Sequence, residues 1–229
     1  MKRRQFAVIG LGRFGSAMAT TLAELGQDVI GVDAETANVH RMADVLTQAI
    51  ELDATDERAL RAAGIHDVEV AVVSIGENIE SSLLVVMQLK EIGIKTIVAK
   101  AVTPLHGRIL EKLGVSRVIF PEREMAVRTA HSLVIPNVID YIEVSRDFSI
   151  VELPAPDSFV GKTLKQLELR PRFGLMLVAV KRRSGPDAPE VTNIAPAADE
   201  MIQRGDVLAL LGSNERLSQL DTLLDRMKP

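Results

Sequence analysis

The sequence predicts an α/β protein, with a doubly wound parallel sheet in an N-terminal domain and a small α+β domain after it. Short apolar runs alternate with helical apolar patterns from residue 6 to residue 133. The first of these runs ends in glycines at positions 10, 12 and 15. Near Pro136 and Asn137 the alternation stops, and shorter strands with turns follow. Alternating strands and helices are typical of a parallel sheet that is covered on both faces.

The first strand, residues 6–9, leads into Gly10, Gly12 and Gly15 at the spacing G-x-G-x-x-G, and a helical pattern follows directly. In this motif the first glycine permits a tight turn, the second lets the backbone approach a pyrophosphate, and the third lets the helix pack near the strand. The helix N-terminus offers free N–H groups and a positive dipole end to the phosphates. The sequence therefore predicts a Rossmann-like nucleotide site, and the alternative is a glycine-rich turn that binds nothing.

Asp33 ends the second strand, residues 27–33, about 20 residues after the glycines, where an acid is expected to bind a ribose hydroxyl. Its alternative role is a solvated strand end. Arg13 and Phe14 lie inside the glycine loop and are further candidates for the site. The helix dipole disfavours a cation at Arg13, and a bound anion would remove that conflict. The alternative for Arg13 is a solvated side chain.

The remaining elements of the N-terminal domain follow from apolar runs and capping residues. The Val-rich run at residues 68–75 is typical of a buried parallel strand. Thr55 or Asp56 is expected to cap the helix after the third strand, and Thr103 with Pro104 begins a later helix. The further predicted strands are residues 47–52, 95–101 and 115–120, and the further predicted helices are residues 35–42, 57–63, 79–92 and 121–133.

Three residues at strand ends are expected to line the same crevice, because ligands of open α/β sheets bind outside the carboxyl ends of the strands. Lys100 lies at the end of the fifth strand, and Ile75 and Gly76 lie at the end of the fourth. The alternatives are an ordinary polar strand end for Lys100 and a turn without a ligand for the other two.

The C-terminal domain is predicted from shorter patterns. A turn at residues 159–164 leads into a short helix, and Ser213 is expected to cap a helix that runs to Leu224. The predicted strands are residues 147–153, 174–181 and 207–211. We therefore predict two domains, residues 1–136 and residues 137–229.

Composition excludes several functions. Cysteine is absent, which excludes disulfides, thiolate metal sites and cysteine nucleophiles. The net charge is −4 and aromatic residues make up 3% of the chain, which argues against a nucleic-acid partner. No apolar run reaches the ~20 residues that span a bilayer, and the N-terminus is not a signal peptide. We therefore expect a cytoplasmic protein.

The sequence contains no convincing catalytic set. His40, His66, His106 and His131 lie in helical or turn stretches, and none is paired with a carboxylate at an informative spacing. We therefore expect a binding protein and not an enzyme. The alternative is an NAD(H)-dependent redox sensor or a small oxidoreductase, because the glycine motif and Asp33 also suit NAD.

Seven stretches of the chain resemble one known family. They are residues 5–15, 29–33, 74–79, 98–101, 120–125, 149–153 and 205–208. These stretches are similar to the cytosolic gating subunits of Ktr and Trk potassium uptake systems, the KtrA/TrkA group of RCK (regulator of potassium conductance) proteins. The resemblance covers nearly the whole chain, and the length is that of the Ktr form. That form has one Rossmann (TrkA-N) domain and one RCK-C (TrkA-C) domain.

The resemblance implies a regulator. Members of the family form homodimers, which assemble into octameric rings and dock on a KtrB-like, membrane-embedded potassium-translocating subunit. ATP and ADP compete for the Rossmann crevice and change the shape of the ring, and some members respond to NAD(H). The implied location is cytoplasmic, at the inner face of the cell membrane through the partner.

The resemblance also implies roles for four residues around the nucleotide. Arg13 is implied to reach the terminal phosphate across the dimer interface. Lys100 is implied to lie near the phosphates. Asp53 and Ala54 are implied to contact the adenosine side, although the family often has Asn in place of this Asp.

Two further ligands are implied by the resemblance alone. Glu122 is implied to bind a divalent cation, Mg or Ca, between paired subunits. The segment around Glu122 departs from the family at Ala126, where members usually have Gly. Some members bind cyclic di-AMP at a dimer interface of the C-terminal domain, and Arg170, Phe173 and Pro196 occupy positions suited to that ligand.

Overall fold

The computed structural model describes residues 3–76, 78–134, 137–183, 185 and 188–219. The chain divides into two compact units, Met1–Pro121 and Glu122–Pro229. The domain boundary that we predict between residues 136 and 137 stays a prediction, and Pro136 itself lies outside the described residues.

The first unit contains a six-stranded sheet in the order β3-β2-β1-β4-β5-β6, with every pair of neighbours parallel. Its strands are β1 (Gln5–Ile9), β2 (Asp28–Asp33), β3 (Gln48–Glu51), β4 (Val70–Val73), β5 (Thr96–Lys100) and β6 (Arg117–Ile119). Its helices are α1 (Arg13–Glu24), α2 (Thr36–Met42), α3 (Glu57–Ala62), α4 (Ile79–Glu91) and α5 (Pro104–Lys112), with a short 3-10 turn at Ile65–Asp67. The predicted doubly wound parallel sheet is therefore confirmed.

The sheet of the first unit has a hydrophobic core on each face. Along β1, Ala7 and Ile9 belong to the core that includes residues of α3, α4 and α5, whereas Val8 belongs to the core that includes residues of α1 and α2. Successive side chains of a strand point to opposite faces, so a strand that is buried on both faces is apolar throughout. Full burial of one large aliphatic side chain contributes about 1.5–3 kcal/mol.

Helix starts agree with the predicted capping residues. Asp56 accepts the backbone N–H groups of Arg58 and Ala59, and it is therefore the cap of α3 in preference to Thr55. Thr103 caps α5 through the backbone N–H of His106. The fourth strand is shorter than predicted, because β4 ends at Val73.

The second unit contains a five-stranded antiparallel sheet in the order β10-β9-β11-β8-β7. The strands are β7 (Asp140–Ser145), β8 (Phe148–Pro154), β9 (Met176–Arg182), β10 (Val191–Ile194) and β11 (Val207–Ser213). The helices after Pro121 are α6 (Pro121–Val134), α7 (Leu164–Leu167), α8 (Leu169–Phe173) and α9 (Asn214–Ser218). The predicted α+β character is confirmed. We did not predict β7, β10 or α8, and the predicted helix end at Leu224 lies outside the described residues.

Helix α6 is attached to the edge strand β7 by side chains. The guanidinium of Arg128 donates to both oxygens of the Asp140 carboxylate, and this bond holds the pKa of Asp140 below its ordinary value. The ring of His131 stacks on the ring of Tyr141 with centroids 4.4 Å apart. None of the described residues of α6 is buried in the isolated chain.

A buried carboxylate organises the far end of the second sheet. Asp206 is fully buried and accepts Nε and Nη2 of Arg182 at 2.7 and 2.8 Å. The same carboxylate accepts the backbone N–H of Gln203 at 2.8 Å. Arg182 also donates to Glu200 at 3.1 Å. A buried charge needs such partners, because an uncompensated charge in the interior is strongly destabilising.

Among the described residues, no helix combines the length and the apolar character that crossing a lipid bilayer requires.

We expect Asp206→Ala to lower the free energy of unfolding by about 3 kcal/mol, because it leaves the Arg182 guanidinium without its bidentate partner. Chemical denaturation followed by circular dichroism measures this change. The matched control is Asp157→Ala, which breaks an exposed ion pair with Arg204 and should leave the midpoint near that of the wild type. Equal midpoints for the two variants would contradict a structural role of the buried carboxylate.

Candidate nucleotide-binding site

The glycine loop lies where the strand order of the first sheet reverses. Strand β1 pairs with β2 on one side and with β4 on the other, so the loop between β1 and α1 opens at the carboxyl ends of all three strands. Gly10 has a φ of +92° and donates its N–H to the carbonyl of Val32 at 2.8 Å. Such a φ is readily adopted by glycine only. This crevice is the usual ligand site of open α/β sheets.

Two of the three glycines are required by the fold itself. A Cβ atom on Gly15 would lie 1.7 Å from the carbonyl oxygen of Gly10, which is a direct clash with backbone. A Cβ atom on Gly10 would lie 3.2 Å from the backbone nitrogen of Ile75. The glycines therefore let α1 approach β1, and let the loop approach the segment that follows β4.

The remaining glycine, Gly12, has no such internal reason. A Cβ atom on Gly12 would have no protein atom within 4 Å. Gly12 is the N-cap of α1, it makes no side-chain capping bond, and the first turn of α1 carries no acidic residue. A helix N-terminus with open space in front of it is a ready site for an anion. The space in front of Gly12 is therefore open to an anionic group such as a phosphate.

Asp33 is placed at the crevice and also holds the glycine loop. One carboxylate oxygen accepts the backbone N–H of Leu11 at 2.6 Å, and the other accepts the backbone N–H of Glu35 at 2.8 Å. Each oxygen of an ionised carboxylate retains a further acceptor site, so a ribose hydroxyl can still be bound. The sequence motif predicted the position of Asp33, but nothing in its spacing indicated the bond to Leu11.

Asp53 follows β3 at the same edge of the sheet. The backbone N–H of Leu52 donates to the carbonyl of Asp33 at 3.1 Å, which ties the ends of β2 and β3 together. The Asp53 carboxylate accepts the hydroxyl of Thr55 at 2.7 Å and the backbone N–H of Thr55 at 2.9 Å, and both bonds lower the pKa of Asp53. The methyl group of Ala54 is buried in the core, so only its backbone remains for a ligand.

Lys100, Gly76 and Phe14 lie close together on the other side of the loop. A Cβ atom on Gly76 would lie 3.4 Å from Nζ of Lys100. The same Nζ is 5.9 Å from the ring centroid of Phe14, within cation–π range. The side chain of Ile75 approaches Gly10, with Cγ1 at 3.4 Å from a Cβ built there. Arg13 is exposed at the start of α1.

Four candidate ligand-binding residues lie in the second unit. Glu122 is exposed in the first turn of α6, and the described residues contain no group of three or more His, Cys, Asp and Glu side chains that could hold a metal. Arg170 is exposed and Pro196 is half-buried. Phe173 is 7% exposed within the core of this unit, and its ring also contacts the guanidinium of Arg172. The metal and cyclic di-AMP sites stay predictions.

Comparison with known proteins covers both units. The TrkA-N domain model matches residues 6–121, and the TrkA-C domain model matches residues 148–225. The chain is 38% identical over 219 residues to Ktr system potassium uptake protein C of Bacillus subtilis, with 96% of each chain covered. It is 36% identical over 221 residues to Ktr system potassium uptake protein A of the same organism, with 96% of this chain and 97% of the relative covered.

Solved structures share the fold. The GsuK RCK domain superposes with a TM-score of 0.64 at 18% identity, over 97% of this chain and 48% of that one. The GsuK channel bound to NAD superposes with a TM-score of 0.63 at 17% identity, over 97% of this chain and 40% of that one. The chain therefore spans less than half the length of these two neighbours.

Substitutions at Gly12 and Gly15 distinguish an effect on nucleotide binding from an effect on folding. We expect Gly12→Ala to keep a melting temperature near that of the wild type, because the new methyl group contacts no other protein atom. We expect the variant to lose most of the stabilisation by added nucleotide, because the methyl group occupies the space that a phosphate would approach. The measurement is thermal melting with and without ATP, ADP or NAD.

Gly15→Ala is the matched variant, and we expect it to destabilise the first unit by about 3 kcal/mol or more through the clash with Gly10. Unchanged nucleotide stabilisation in Gly12→Ala would rule out phosphate binding at this loop.

Proposed function

We propose a function for this chain from its family, because the chain belongs to the family that joins a TrkA-N domain to a TrkA-C domain and is 36–38% identical to two Ktr system potassium uptake proteins over 96–97% of their lengths. We propose that it is the regulatory subunit of a potassium uptake system, controlled by an adenine nucleotide in the first unit. The observation that supports the nucleotide is the open space around Gly12, directly in front of the N-terminus of α1.

The proposed ligands are ATP and ADP. The backbone of the glycine loop and the N-terminus of α1 bind the phosphates, and Lys100 supplies a positive charge near them. Asp33 accepts the ribose hydroxyls, and the turn at Asp53 and Ala54 lies on the adenosine side. Arg13 is exposed at the loop, where its guanidinium can reach the terminal phosphate across a dimer interface.

Self-association is part of the proposal. Helix α6 has no buried residue in the isolated chain, and three of its apolar side chains are strongly exposed. The exposed fraction is 80% for Leu133, 77% for Val134 and 57% for Met125. Such a run of exposed apolar side chains typically marks an interaction surface. We propose a homodimer that assembles into an octameric ring on the cytoplasmic face of a KtrB-like, membrane-embedded potassium-translocating subunit.

In this proposal the nucleotide controls the ring through a difference in its affinity for two shapes of the ring. A nucleotide shifts a ring between two shapes only as far as it binds one shape more tightly than the other. Loss of the terminal phosphate removes the contact proposed for Arg13, so ATP and ADP would favour different shapes. We further propose that Glu122 binds Mg or Ca with its copy in a second subunit, since one carboxylate supplies too few ligands for a divalent ion.

A second ligand is proposed for the C-terminal unit. Arg170 and Pro196 are accessible positions for cyclic di-AMP at a dimer interface, whereas the ring of Phe173 would have to leave the core to stack on a base. Binding of cyclic di-AMP to Arg170→Ala and to wild type, compared by calorimetry, tests this assignment.

The alternative function is an NAD(H)-dependent redox sensor or a small oxidoreductase. It is favoured by the same glycine motif and by Asp33, since NAD and ATP share the adenosine half. Oxidation of NADH with a panel of carbonyl compounds separates an enzyme from a sensor.

Thermal melting distinguishes the ligands directly. A ligand present at 100 times its dissociation constant stabilises the folded state by about 2.7 kcal/mol, which raises the melting temperature by several degrees at this chain length. A larger shift with ATP and a divalent cation than with ADP supports the proposed regulator and a metal at Glu122. A shift with NADH alone supports the alternative. No shift with any nucleotide contradicts both.

We expect Arg13→Ala to weaken ATP binding by about ten- to hundredfold and to leave ADP binding nearly unchanged, because one charge-assisted hydrogen bond contributes about 1.5–3 kcal/mol. Calorimetry of the assembled protein measures both affinities. Arg41→Ala, an exposed arginine on α2, is the control and should change neither. Equal losses for ATP and ADP would sink the role of Arg13 as the sensor of the terminal phosphate.

A further inference from the structure

His106 is a buried histidine that the proposed nucleotide chemistry does not use. It is 1% exposed and lies in the first turn of α5. Its imidazole Nδ1 accepts the backbone N–H of Val102 at 3.5 Å, and Nε2 is buried without a hydrogen-bond partner among the described residues. An imidazole that accepts at Nδ1 carries its proton on Nε2, so His106 is neutral in this arrangement.

Val102 links this imidazole to the crevice. A Cβ atom on Gly76 would lie 3.4 Å from Cγ1 of Val102 and 3.4 Å from Nζ of Lys100. Val102 therefore belongs to the same wall of the site as Lys100, which precedes it by two residues.

The loop between β5 and α5, residues 101–103, is held at three points. The backbone N–H of Ala101 donates to the carbonyl of Ile119 at 2.8 Å. The hydroxyl of Thr103 accepts the backbone N–H of His106 at 3.1 Å. Between them, Nδ1 of His106 is the acceptor for the N–H of Val102. The N–H in the middle of the loop thus faces an unprotonated imidazole nitrogen.

Two features favour the neutral imidazole. Burial lowers the pKa of His106 below its ordinary value of 6.5. The positive end of the α5 dipole also disfavours a cation in the first turn.

The charged groups on α5 and on the elements around it are Glu80, Lys90 and Glu91 on α4, Lys100 on β5, Arg117 on β6, and Arg108, Glu111 and Lys112 on α5. All of these except Lys100 are exposed.

We propose that His106 is a positioning residue that couples proton binding to nucleotide binding. The neutral imidazole holds the loop at residues 101–103 in the form that completes the nucleotide site. Protonation at Nδ1 would set an N–H against the N–H of Val102, so the loop is released. This coupling rests on the proposed function, since it needs a nucleotide in the crevice.

The direction of the effect follows from linkage. The folded pKa of His106 is lowered, so its contribution to stability is fully present above pH 6.5. That contribution is lost progressively as the pH falls from 6.5 toward the folded pKa, because the unfolded chain then binds the proton more readily. A nucleotide that needs the loop in place favours the unprotonated form, and by reciprocity the proton weakens nucleotide binding.

The test measures ATP dissociation constants of the full chain by calorimetry near pH 7.5 and near pH 5.5, the range in which histidine titrates. The variants are His106→Asn, whose Oδ1 replaces the acceptor at Nδ1 without taking a proton, and His106→Gln, whose amide replaces Nε2 instead. The control is His40→Asn, an exposed histidine on α2. Titration of the ATP phosphate itself is common to all four proteins.

We expect wild type and His40→Asn to bind ATP up to about fivefold more weakly at the lower pH, which is the largest ratio that a one-unit lowering of the His106 pKa by bound nucleotide gives there. His106→Asn should bind ATP like wild type at the higher pH. At the lower pH its affinity should weaken only as far as titration of the ATP phosphate itself requires. His106→Gln should bind weakly at both values. A wild-type pH ratio in His106→Asn, or wild-type affinity of His106→Gln at the higher pH, would overturn the coupling.

A measurement on the wild-type protein tests the coupling even if the variants misfold. The pKa of the His106 ring, followed by NMR, should be lower with ATP bound than without it, and an equal pKa in both states would overturn the coupling. If the wild type binds no nucleotide at either pH, the proposed function itself fails, and that outcome differs from ATP binding that is insensitive to His106.

Discussion

The crevice at the glycine loop depends on the close approach of two backbones at Gly10 and Gly15. Because no side chain separates them, α1 begins directly against the end of β1, and its N-terminal N–H groups open at the reversal point of the sheet. Any Cβ at Gly15 would push the helix away and move the anion site with it. Close packing of α1 on the sheet and the position of the proposed phosphate site are therefore set by one contact, and of the three glycines only Gly12 has no packing role.

Asp33 adds a second constraint to the same loop. Its carboxylate accepts N–H groups from Leu11 in the glycine loop and from Glu35 at the start of the next segment. Charge-assisted bonds of this kind are about twice as strong as neutral ones, so the acid fixes the loop before any ligand arrives. A site whose ribose acceptor is already held in place loses little conformational freedom on binding. Asp33 thus holds the glycine loop in the fold and is also the proposed ribose acceptor.

The sequence was informative where the signal is local. The glycine spacing, the Val-rich strands and the caps at Asp56 and Thr103 all depend on residues near one another in the chain. What the sequence did not show depends on distant contacts. The bond from Leu11 to Asp33 and the burial of the His106 ring appear only once the strands are aligned. Strand β10 was missed because all of its side chains are exposed, so its sequence lacks the usual apolar alternation.

The chemistry gathered at the crevice is that of binding a charged ligand. Backbone N–H groups, Lys100 and Arg13 supply the donors and positive charge that phosphates attract, and Asp33 supplies acceptors for hydroxyl groups. These groups lie directly after β1 and at the last residues of β2 and β5, so a ligand that contacts all of them joins the ends of three strands. Its binding energy then depends on how those strand ends are arranged. A regulator needs this property, because a nucleotide shifts an equilibrium only through contacts that differ between two arrangements of the protein.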